Sequence, residues 1–518
     1  MFVQPKDTSK LRNILDMHSI RYKEIEQIGA LEDEYLVTVK GGDVIDMANT
    51  LYETGEFIYA VPCFWKKIKF HNALYDEQWA LNYPEHPNSD INAEEAWKLS
   101  SGKNIVVAIL DCGIDFDHPG LKANLITGYD GSGNGGNGDI SSIYETHGTR
   151  CAGVVAASDN SIGIKGVAYD AKLYPVKIGD ANGVNEAYAI RGFNYARIHA
   201  DIISCSWGGG SASPTLNNAI NAALEQGREG KGCVVIFATG NKTGGWSDKI
   251  DKIEYPANSN SSILAVGSTS REGQRSAFSK YRDALDIVAP GEDIWTTTPV
   301  SEILYYYEQG TSVAAPHVSG VAALMLSANP NLTAMEIHDI ICSTAQKISS
   351  YSFSSNSFHP AGTWNQEVGH GLLDAAAAVR KSIENIDIIG PNTICDKGTY
   401  MLSTLPGGAT VEWSYEGYGP LIFPKNLIVT KLSENSARYE RGEQVIDEMV
   451  VPIDPPIIIG TSTDAEARPT AMPTEPFTGT KVITATISLN GTEVTLKKTV
   501  NVGTIKKPEL REFGITAA

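Results

Sequence analysis

Gly310-Thr311-Ser312-Val313-Ala314-Ala315-Pro316-His317 runs without interruption into the small and apolar stretch Val318 to Leu326. The pattern reads as a tight, glycine-led turn that delivers Ser312 onto the first turn of a buried helix. Pro316 suits a position near a helix start, where its missing N–H costs little. Behind it, Val318, Val321, Ala322, Leu324 and Met325 recur at helical spacing with small residues between them, as in a helix packed on several sides. A serine at the head of such a helix lies beside backbone N–H groups and the positive end of the helix dipole. Charge developing on a nearby oxygen would be stabilised there. Taken alone, Gly-Thr-Ser before an alanine-rich helix is more often ordinary capping.

Upstream, Asn104-Ile-Val-Val-Ala-Ile-Leu110 is a continuous apolar strand of the kind buried on both faces of a parallel sheet. Lys172 to Lys177, Ile202 to Cys205, Cys233 to Thr239, Ile263 to Val266 and Leu285 to Ala289 read the same way, with helical stretches at Asn185 to Ala200 and Thr215 to Glu229. This alternation predicts an α/β fold with a doubly wound, mostly parallel sheet and a site at the carboxyl ends of its strands.

Three more stretches place polar groups at such ends. Asp111 follows the first strand in Leu110-Asp111-Cys112-Gly113, where Gly113 permits a sharp exit. His147 opens a helix of small residues in His147-Gly148-Thr149-Arg150-Cys151-Ala152-Gly153. Asn241 ends the apolar run Phe237-Ala238-Thr239-Gly240-Asn241. Each alone is more often a cap, a turn or a structural histidine. Together, Asp111, His147 and Ser312 supply an orienting carboxylate, a general base and a nucleophile, and the Asn241 amide could donate to an oxyanion. Serine is a feeble nucleophile near neutral pH, and an imidazole backed by a buried carboxylate can take its proton.

In this order, Asp111-Cys-Gly, His147-Gly-Thr, Ala238-Thr-Gly-Asn241 and Gly310-Thr-Ser-Val-Ala-Ala-Pro316 resemble the four signature blocks of the subtilisin-like serine proteases, over about residues 75–382. The resemblance implies a catalytic triad of Asp111, His147 and Ser312, Asn241 as oxyanion donor, and peptide hydrolysis through an acyl-enzyme without a cofactor. Ser206, Trp207 and Gly208 would wall the pocket for the residue before the scissile bond. Glu254 aligns near the bottom of that pocket, where a carboxylate would favour Lys or Arg. His147 to Gly153, Gly166-Val-Ala-Tyr169 and Ser204-Cys-Ser-Trp-Gly208 are similar to the kexin or proprotein-convertase branch. Cys112 and Gly209-Gly210-Ser211 depart from it, where that branch carries acids.

The 518-residue chain has room for several domains. Residues 1–72 read as a small α+β unit: helices at Leu11 to Met17 and Val44 to Tyr52, strands at Glu34 to Val39 and Phe57 to Val61, and an extended basic, aromatic segment at 64–70. From pattern alone this could be a fused pro-segment or an interaction domain; the family resemblance implies an inhibitory propeptide. Residues 73–384 form the α/β unit. Residues 385–518 carry strand-like runs at 399–403, 410–414, 427–431, 445–451, 481–489 and 492–502, with a Thr/Pro/Ala/Glu-rich loop at 462–479. They predict a β-sandwich loosely similar to immunoglobulin-like modules of secreted bacterial proteins.

A net charge of −19 argues against a nucleic-acid partner, and the partners expected are polypeptide substrates and the chain's own pro-segment. No membrane span is expected, because no run of about 18 apolar residues occurs. Met1 to Lys10 shows no apolar signal segment, so a secreted, periplasmic or cell-surface location would need an export signal absent from this chain. The seven cysteines are scattered without CxxC spacing, so neither a disulfide framework nor a zinc site is supported by spacing, and no metal site is expected. The acidic, glycine-rich loop 129–139 makes calcium a candidate ligand, although it lacks a trailing glutamate at fixed spacing and reads more readily as a cleft-rim loop. A non-catalytic binding or adhesion protein on a protease scaffold is the rival reading. An esterase is disfavoured because no Gly-x-Ser-x-Gly elbow surrounds Ser312.

Overall fold

The computed structural model describes residues 1–27, 33–63, 74–86, 88–242, 252–300, 304–389, 392–394, 397–415, 448–452 and 479–502. The chain divides into two compact units, Met1–Phe70 and His71–Ala518. The expected segments at 64–70 and 427–431 and nearly all of the loop at 462–479 lie outside the described residues.

The first unit runs β1 (Phe2–Pro5), α1 (Leu11–Met17), β2 (Tyr22–Gln27), β3 (Tyr35–Val39), α2 (Val44–Glu53) and β4 (Phe57–Val61). Its strands form one antiparallel sheet in the order β2-β3-β1-β4. Val3, Leu15, Val37, Leu51 and Phe57 build the core, and Asp43 Oδ1 caps α2 by accepting from Ile45 N at 2.8 Å. Strands β1 and β2 were not expected from sequence. β2 reads Tyr-Lys-Glu-Ile-Glu-Gln and is a mostly exposed edge, and β1 is four residues closed by a proline. Neither shows the apolar alternation that marks a half-buried strand.

The second unit begins with α3 (Ala93–Trp97), β5 (Val106–Asp111), β6 (Tyr129–Asp130), α4 (His147–Ala156) and β7 (Lys172–Lys177). A small ribbon, β8 (Gly179–Asp180) and β9 (Gly183–Val184), precedes α5 (Glu186–His199), β10 (Ile202–Cys205), α6 (Pro214–Gln226) and β11 (Val234–Ala238). Next come β12 (Leu264–Thr269), β13 (Ile287–Pro290), β14 (Ile294–Thr297), β15 (Tyr305–Glu308) and α7 (Thr311–Ala328). The α/β part ends with α8 (Ala334–Thr344), β16 (Ser354–Asn356), β17 (His359–Trp364) and α9 (Ala375–Glu384).

Seven strands pair in parallel in the order β13-β12-β11-β10-β5-β7-β6. The period-two geometry of a strand splits these apolar runs between two cores. Val107, Ile109, Ile202, Val234 and Ile236 face the layer that holds α7, whereas Ala108, Leu110, Ile203, Val235 and Phe237 face the layer of α5 and α6. The chain builds β7 on one side of β5 and then crosses to β10 on the other. The strand order therefore reverses beside β5, and a crevice opens at its carboxyl end.

Helix α7 is apolar all round because it is surrounded: it packs against α4, α9 and strands β10 to β13. Among the described residues it is the helix long and apolar enough to cross a membrane, and 89% of it is buried within this unit. Residues after α9 add two sheets that share the same continuous core. β18 (Ile388–Ile389), β20 (Lys397–Leu402) and β22 (Glu448–Pro452) form one; β19 (Thr393–Ile394), β21 (Thr410–Tyr415), β23 (Gly479–Leu489) and β24 (Thr492–Val502) form the other. Asn490 and Gly491 link β23 to β24 with φ of 48° and 80°, the left-handed pair required by a two-residue hairpin turn.

Close packing of α7 sets a testable constraint. A Cβ built on Gly320 would lie 2.5 Å from Val167 Cβ. Gly320→Ala should therefore lower the thermal midpoint, its overpacking cost of about 1–3 kcal/mol exceeding the helix-propensity gain of about 1 kcal/mol. Adding Val167→Ala should recover most of the loss, as read by calorimetry of the single and double variants.

Candidate active site

Asp111 is the last residue of β5 and is 5% exposed. Burying a carboxylate is costly unless partners meet it. Here Oδ1 accepts from Cys112 N at 2.8 Å, and His147 Nδ1–H donates to Oδ2 at 2.8 Å. Two glycines allow this approach. Gly113 turns the chain with φ of 104°, and a Cβ on Gly148 would lie 2.2 Å from Gly113 O and 3.0 Å from Asp111 Cβ. The head of α4 thus rests directly on the turn after β5. Before it, Lys177 Nζ bonds Glu145 Oε2 at 2.6 Å, a buried ion pair that ties the segment entering α4 to the end of β7.

The Asp111 carboxylate raises the His147 imidazole well above its ordinary value of 6.5, with the Cys151 sulfur adding to the effect and burial opposing it. Burial opposes ionisation of Asp111, yet His147 and the Cys112 N–H hold its carboxyl below the usual range. Because the carboxylate accepts the Nδ1–H hydrogen bond, neutral His147 keeps its lone pair on Nε2, on the open side of the ring.

Ser312 is the second residue of α7. Pro316 sits inside that helix rather than in its first turn, and the position has a consequence. Having no N–H, Pro316 leaves the Ser312 carbonyl without its usual donor four residues on. Ser206 Oγ donates to that carbonyl at 2.7 Å and Cys151 Sγ at 3.4 Å. Cys151 also lies 3.9 Å from His147 Nδ1, so one sulfur touches both the histidine and the serine. Neither bond was legible beforehand, since each joins residues more than 100 apart in sequence.

The structure also brings Asn241 to this place. Thr311 donates twice to Asn241 Oδ1, from its N–H and from its hydroxyl, each at 3.0 Å, and Thr311 Oγ1 accepts from Gly240 N at 3.2 Å. With Oδ1 facing two donors, Nδ2 must turn the other way. A Cβ on Gly310, whose φ is 148°, would lie 3.0 Å from Ser312 Oγ and 3.1 Å from Asn241 Nδ2. Hydroxyl and amide therefore flank one small space, which glycine leaves open. Thr311 is one residue that sequence reading passed over.

Ser206, Trp207 and Gly208 follow β10. Trp207 Nε1 donates to Leu110 O at 2.9 Å, and its ring meets Phe237 edge-on at 5.2 Å. Glu254 lies between two glycines: a Cβ on Gly208 would be 3.2 Å from Glu254 Cβ, and one on Gly240 would be 2.6 Å from its carboxyl carbon. Its Oε1 is paired with Lys280 Nζ at 2.6 Å, and Lys280 is 7% exposed. Glu254 is thus not an isolated charge. In the loop 129–139, Asp130 Oδ1 accepts from Ser132 N, and Asp139 Oδ1 from Ile140 N and Phe116 N. His118 and His317 bond to backbone partners, and burial pushes both rings down, His317 to about 4, as suits neutral core histidines.

The charge coupling is measurable without any substrate. In a pH titration of labelled histidine rings followed by NMR, His147 should titrate well above 6.5, and Asp111→Asn should move it down toward or below that value. A His147 titration that Asp111→Asn leaves in place would contradict the coupling.

Residues 102–371 match the Subtilase family. The major intracellular serine protease of Bacillus subtilis (strain 168) is 43% identical over 242 residues, which cover 46% of this chain and 73% of that protein. Subtilisin NAT of Bacillus subtilis subsp. natto is 36% identical over 282 residues, covering 54% of this chain and 67% of its own. The intracellular serine protease of Paenibacillus polymyxa is 37% identical over 238 residues, covering 45% and 70%. With more than half of its length in that match, the chain belongs to the subtilase family and is a subtilisin-like serine endopeptidase.

Proposed function

We propose that Ser312 attacks the peptide carbonyl, that His147 Nε2 takes its proton and later returns it to the leaving amine, and that Asp111 orients the ring and stabilises the imidazolium. The observation that carries this reading is the Asp111–His147 hydrogen bond at 2.8 Å, joined to Ser312 through Cys151. The oxyanion of the tetrahedral intermediate is received by Asn241 Nδ2 and the Ser312 N–H at the helix head. Water then hydrolyses the acyl-enzyme by the same proton path. Because the base works only when neutral, activity rises with pH through the raised His147 value and is lost below it.

The first unit serves as a pro-segment that inhibits the enzyme until the chain cuts itself between about Pro62 and Tyr75, and residues 385–518 act as an appended immunoglobulin-like module. Subtilisins and proteases named as intracellular are both among the relatives, so a secreted, periplasmic or cell-surface location rests on the appended module. Kexin-type dibasic specificity is not part of the reading, given Cys112 and Gly209-Gly210-Ser211.

A single set of proteins tests the chemistry. Wild type should take a fluorophosphonate label and acquire a new N-terminus within residues 62–75. Ser312→Ala should take no label and stay full length. Asn241→Ala should keep the label site but lose about 10²–10³ in kcat, the size measured for the corresponding donor in subtilisin itself. Labelling of Ser312→Ala at wild-type level would sink the proposed nucleophile.

Substrate selection follows from Glu254. Its pairing with Lys280 leaves little net charge for the residue before the scissile bond. Peptides with Arg or Lys there should gain only a few-fold over those with Leu or Phe. Lys280→Met should widen that ratio to at least tenfold, and Glu254→Gln should abolish it. Equal kcat/KM on both substrate classes in all three proteins would remove Glu254 from the pocket.

A further inference from the structure

At the opposite, amino end of the sheet lies a second cluster of chemistry-bearing side chains. Asp286 immediately precedes the edge strand β13; His338 and Cys342 stand one turn apart on α8; His359 opens β17. Asp286, His338 and His359 are each 7% exposed and Cys342 is 0% exposed. One donor atom from each of Asp286, His338 and Cys342 lies within 4.8 Å of the other two.

The outer bonds of these residues orient them inward. Asp286 Oδ2 accepts from Ala265 N at 2.9 Å, which leaves Oδ1 facing the cluster. His359 Nε2–H donates to Asp283 O at 2.7 Å, so the neutral ring keeps its lone pair on Nδ1, 3.9 Å from Asp286 Oδ1. His338 Nδ1 lies 3.3 Å from Asp339 Oδ1, and its Nε2 is buried without a hydrogen-bond partner, 3.6 Å from Asp286 Oδ1. The His359 lone pair faces the carboxylate across such a gap and repels it unless a cation stands between them, and His338 Nε2 meets the same oxygen either as an N–H or as a ligand of that cation. The nearby ammonium of Lys347 is held by carbonyls instead, those of Thr363 at 3.0 Å and His370 at 2.5 Å.

We propose that Asp286 Oδ1, His338 Nε2 and Cys342 Sγ form a structural binding site for a divalent transition metal of the zinc type, with His359 Nδ1, 3.9 Å from Asp286 Oδ1, drawn in as the fourth ligand on binding. One thiolate, two imidazoles and one carboxylate suit a borderline-soft ion. Ligand bonds of about 2.0–2.3 Å in a tetrahedron place ligand atoms roughly 3.3–3.8 Å apart, and Asp286 Oδ1 stands 3.6 Å from His338 Nε2 and 3.9 Å from His359 Nδ1. Asp339 and the Asp283 carbonyl, which accept from the outer ring nitrogens, supply the orienting bonds that metal-bound histidines usually carry. Binding replaces the Cys342 S–H bond with a metal–sulfur bond and releases that proton to solvent. Thiolate and carboxylate then cancel the ion's two charges, which suits a buried site. Closing the site joins α8 to the edge strand and to β17, so its effect is on stability, not on peptide hydrolysis.

The test uses the full-length chain carrying Ser312→Ala to prevent self-cleavage, dialysed against zinc and then against buffer, with bound metal counted by mass spectrometry. We expect one zinc per chain, a thermal midpoint that falls on chelation and recovers with zinc, and a thiolate-to-metal absorption band when cobalt replaces zinc. Cys342→Ser should remove the band, and His338→Gln and Cys342→Ser should each lower retained zinc at least tenfold. Cys151→Ser, at the Asp111–His147 site, should leave zinc retention intact. Should the Ser312→Ala chain hold no more zinc than its Cys342→Ser variant, or should Cys151→Ser alone release it, the proposal is overturned; the cluster is then a metal-free buried ion pair between imidazolium and Asp286.

Discussion

A carboxylate buried at the end of a parallel strand is the constraint on which the site depends. Asp111 cannot stay charged there unless hydrogen-bond donors reach it, and the two that do arrive from different distances in sequence. Cys112 N–H is supplied by the turn itself. His147 must be delivered by a helix whose head approaches the strand end within contact distance, which only a residue without a side chain at Gly148 permits. The requirement that stabilises the buried charge is therefore the one that fixes the ring. Electrostatic satisfaction and chemical orientation are one interaction.

A similar coupling runs through the serine. Pro316 is a poor choice for helix stability at its position, because it removes a bond from Ser312 O. The freed carbonyl becomes an acceptor for Ser206 and Cys151, so the helix head is tied to the end of β10 and to α4 rather than to its own next turn. Thr311 does the same for Asn241 by engaging one end of the amide and thereby aiming the other. The bonds missing inside the helix are the ones that hold the groups around it.

How much of this could be read from sequence follows from range. The strands Lys172–Lys177 and Ile202–Cys205 have the bounds expected of them, because a strand buried on both faces writes its burial into a continuous apolar run. The places of Asp111, His147, Asn241 and Ser312 at strand ends and helix heads were legible because local glycines mark those points. The edge strand β2 was not, since an exposed strand leaves no apolar signature. Cys151 as a bridge, Thr311 as a clamp and Lys280 as the partner of Glu254 were not either. Those roles exist only as pairs brought together by the fold, and neither partner's neighbours in sequence announce them.

The same limit explains why cysteine spacing gave no hint of the cluster around Asp286. The two clusters are in fact built alike: an aspartate beside a sheet strand, and a histidine and cysteine four residues apart on a helix, His147 with Cys151 and His338 with Cys342. What separates them is access and which ring nitrogen faces the carboxylate. His147 gives Nδ1 to Asp111 and is 41% exposed through its side chain, so its Nε2 stays open to the cleft. His338 engages Asp339 through Nδ1 and presents Nε2 to Asp286 in the interior, so its lone pair meets only buried ligand atoms. An open lone pair can move protons, whereas an enclosed one among a thiol and a carboxylate is placed to hold a cation. One side-chain triplet thus supports two chemistries, and the tautomer set by the neighbouring acceptor decides which.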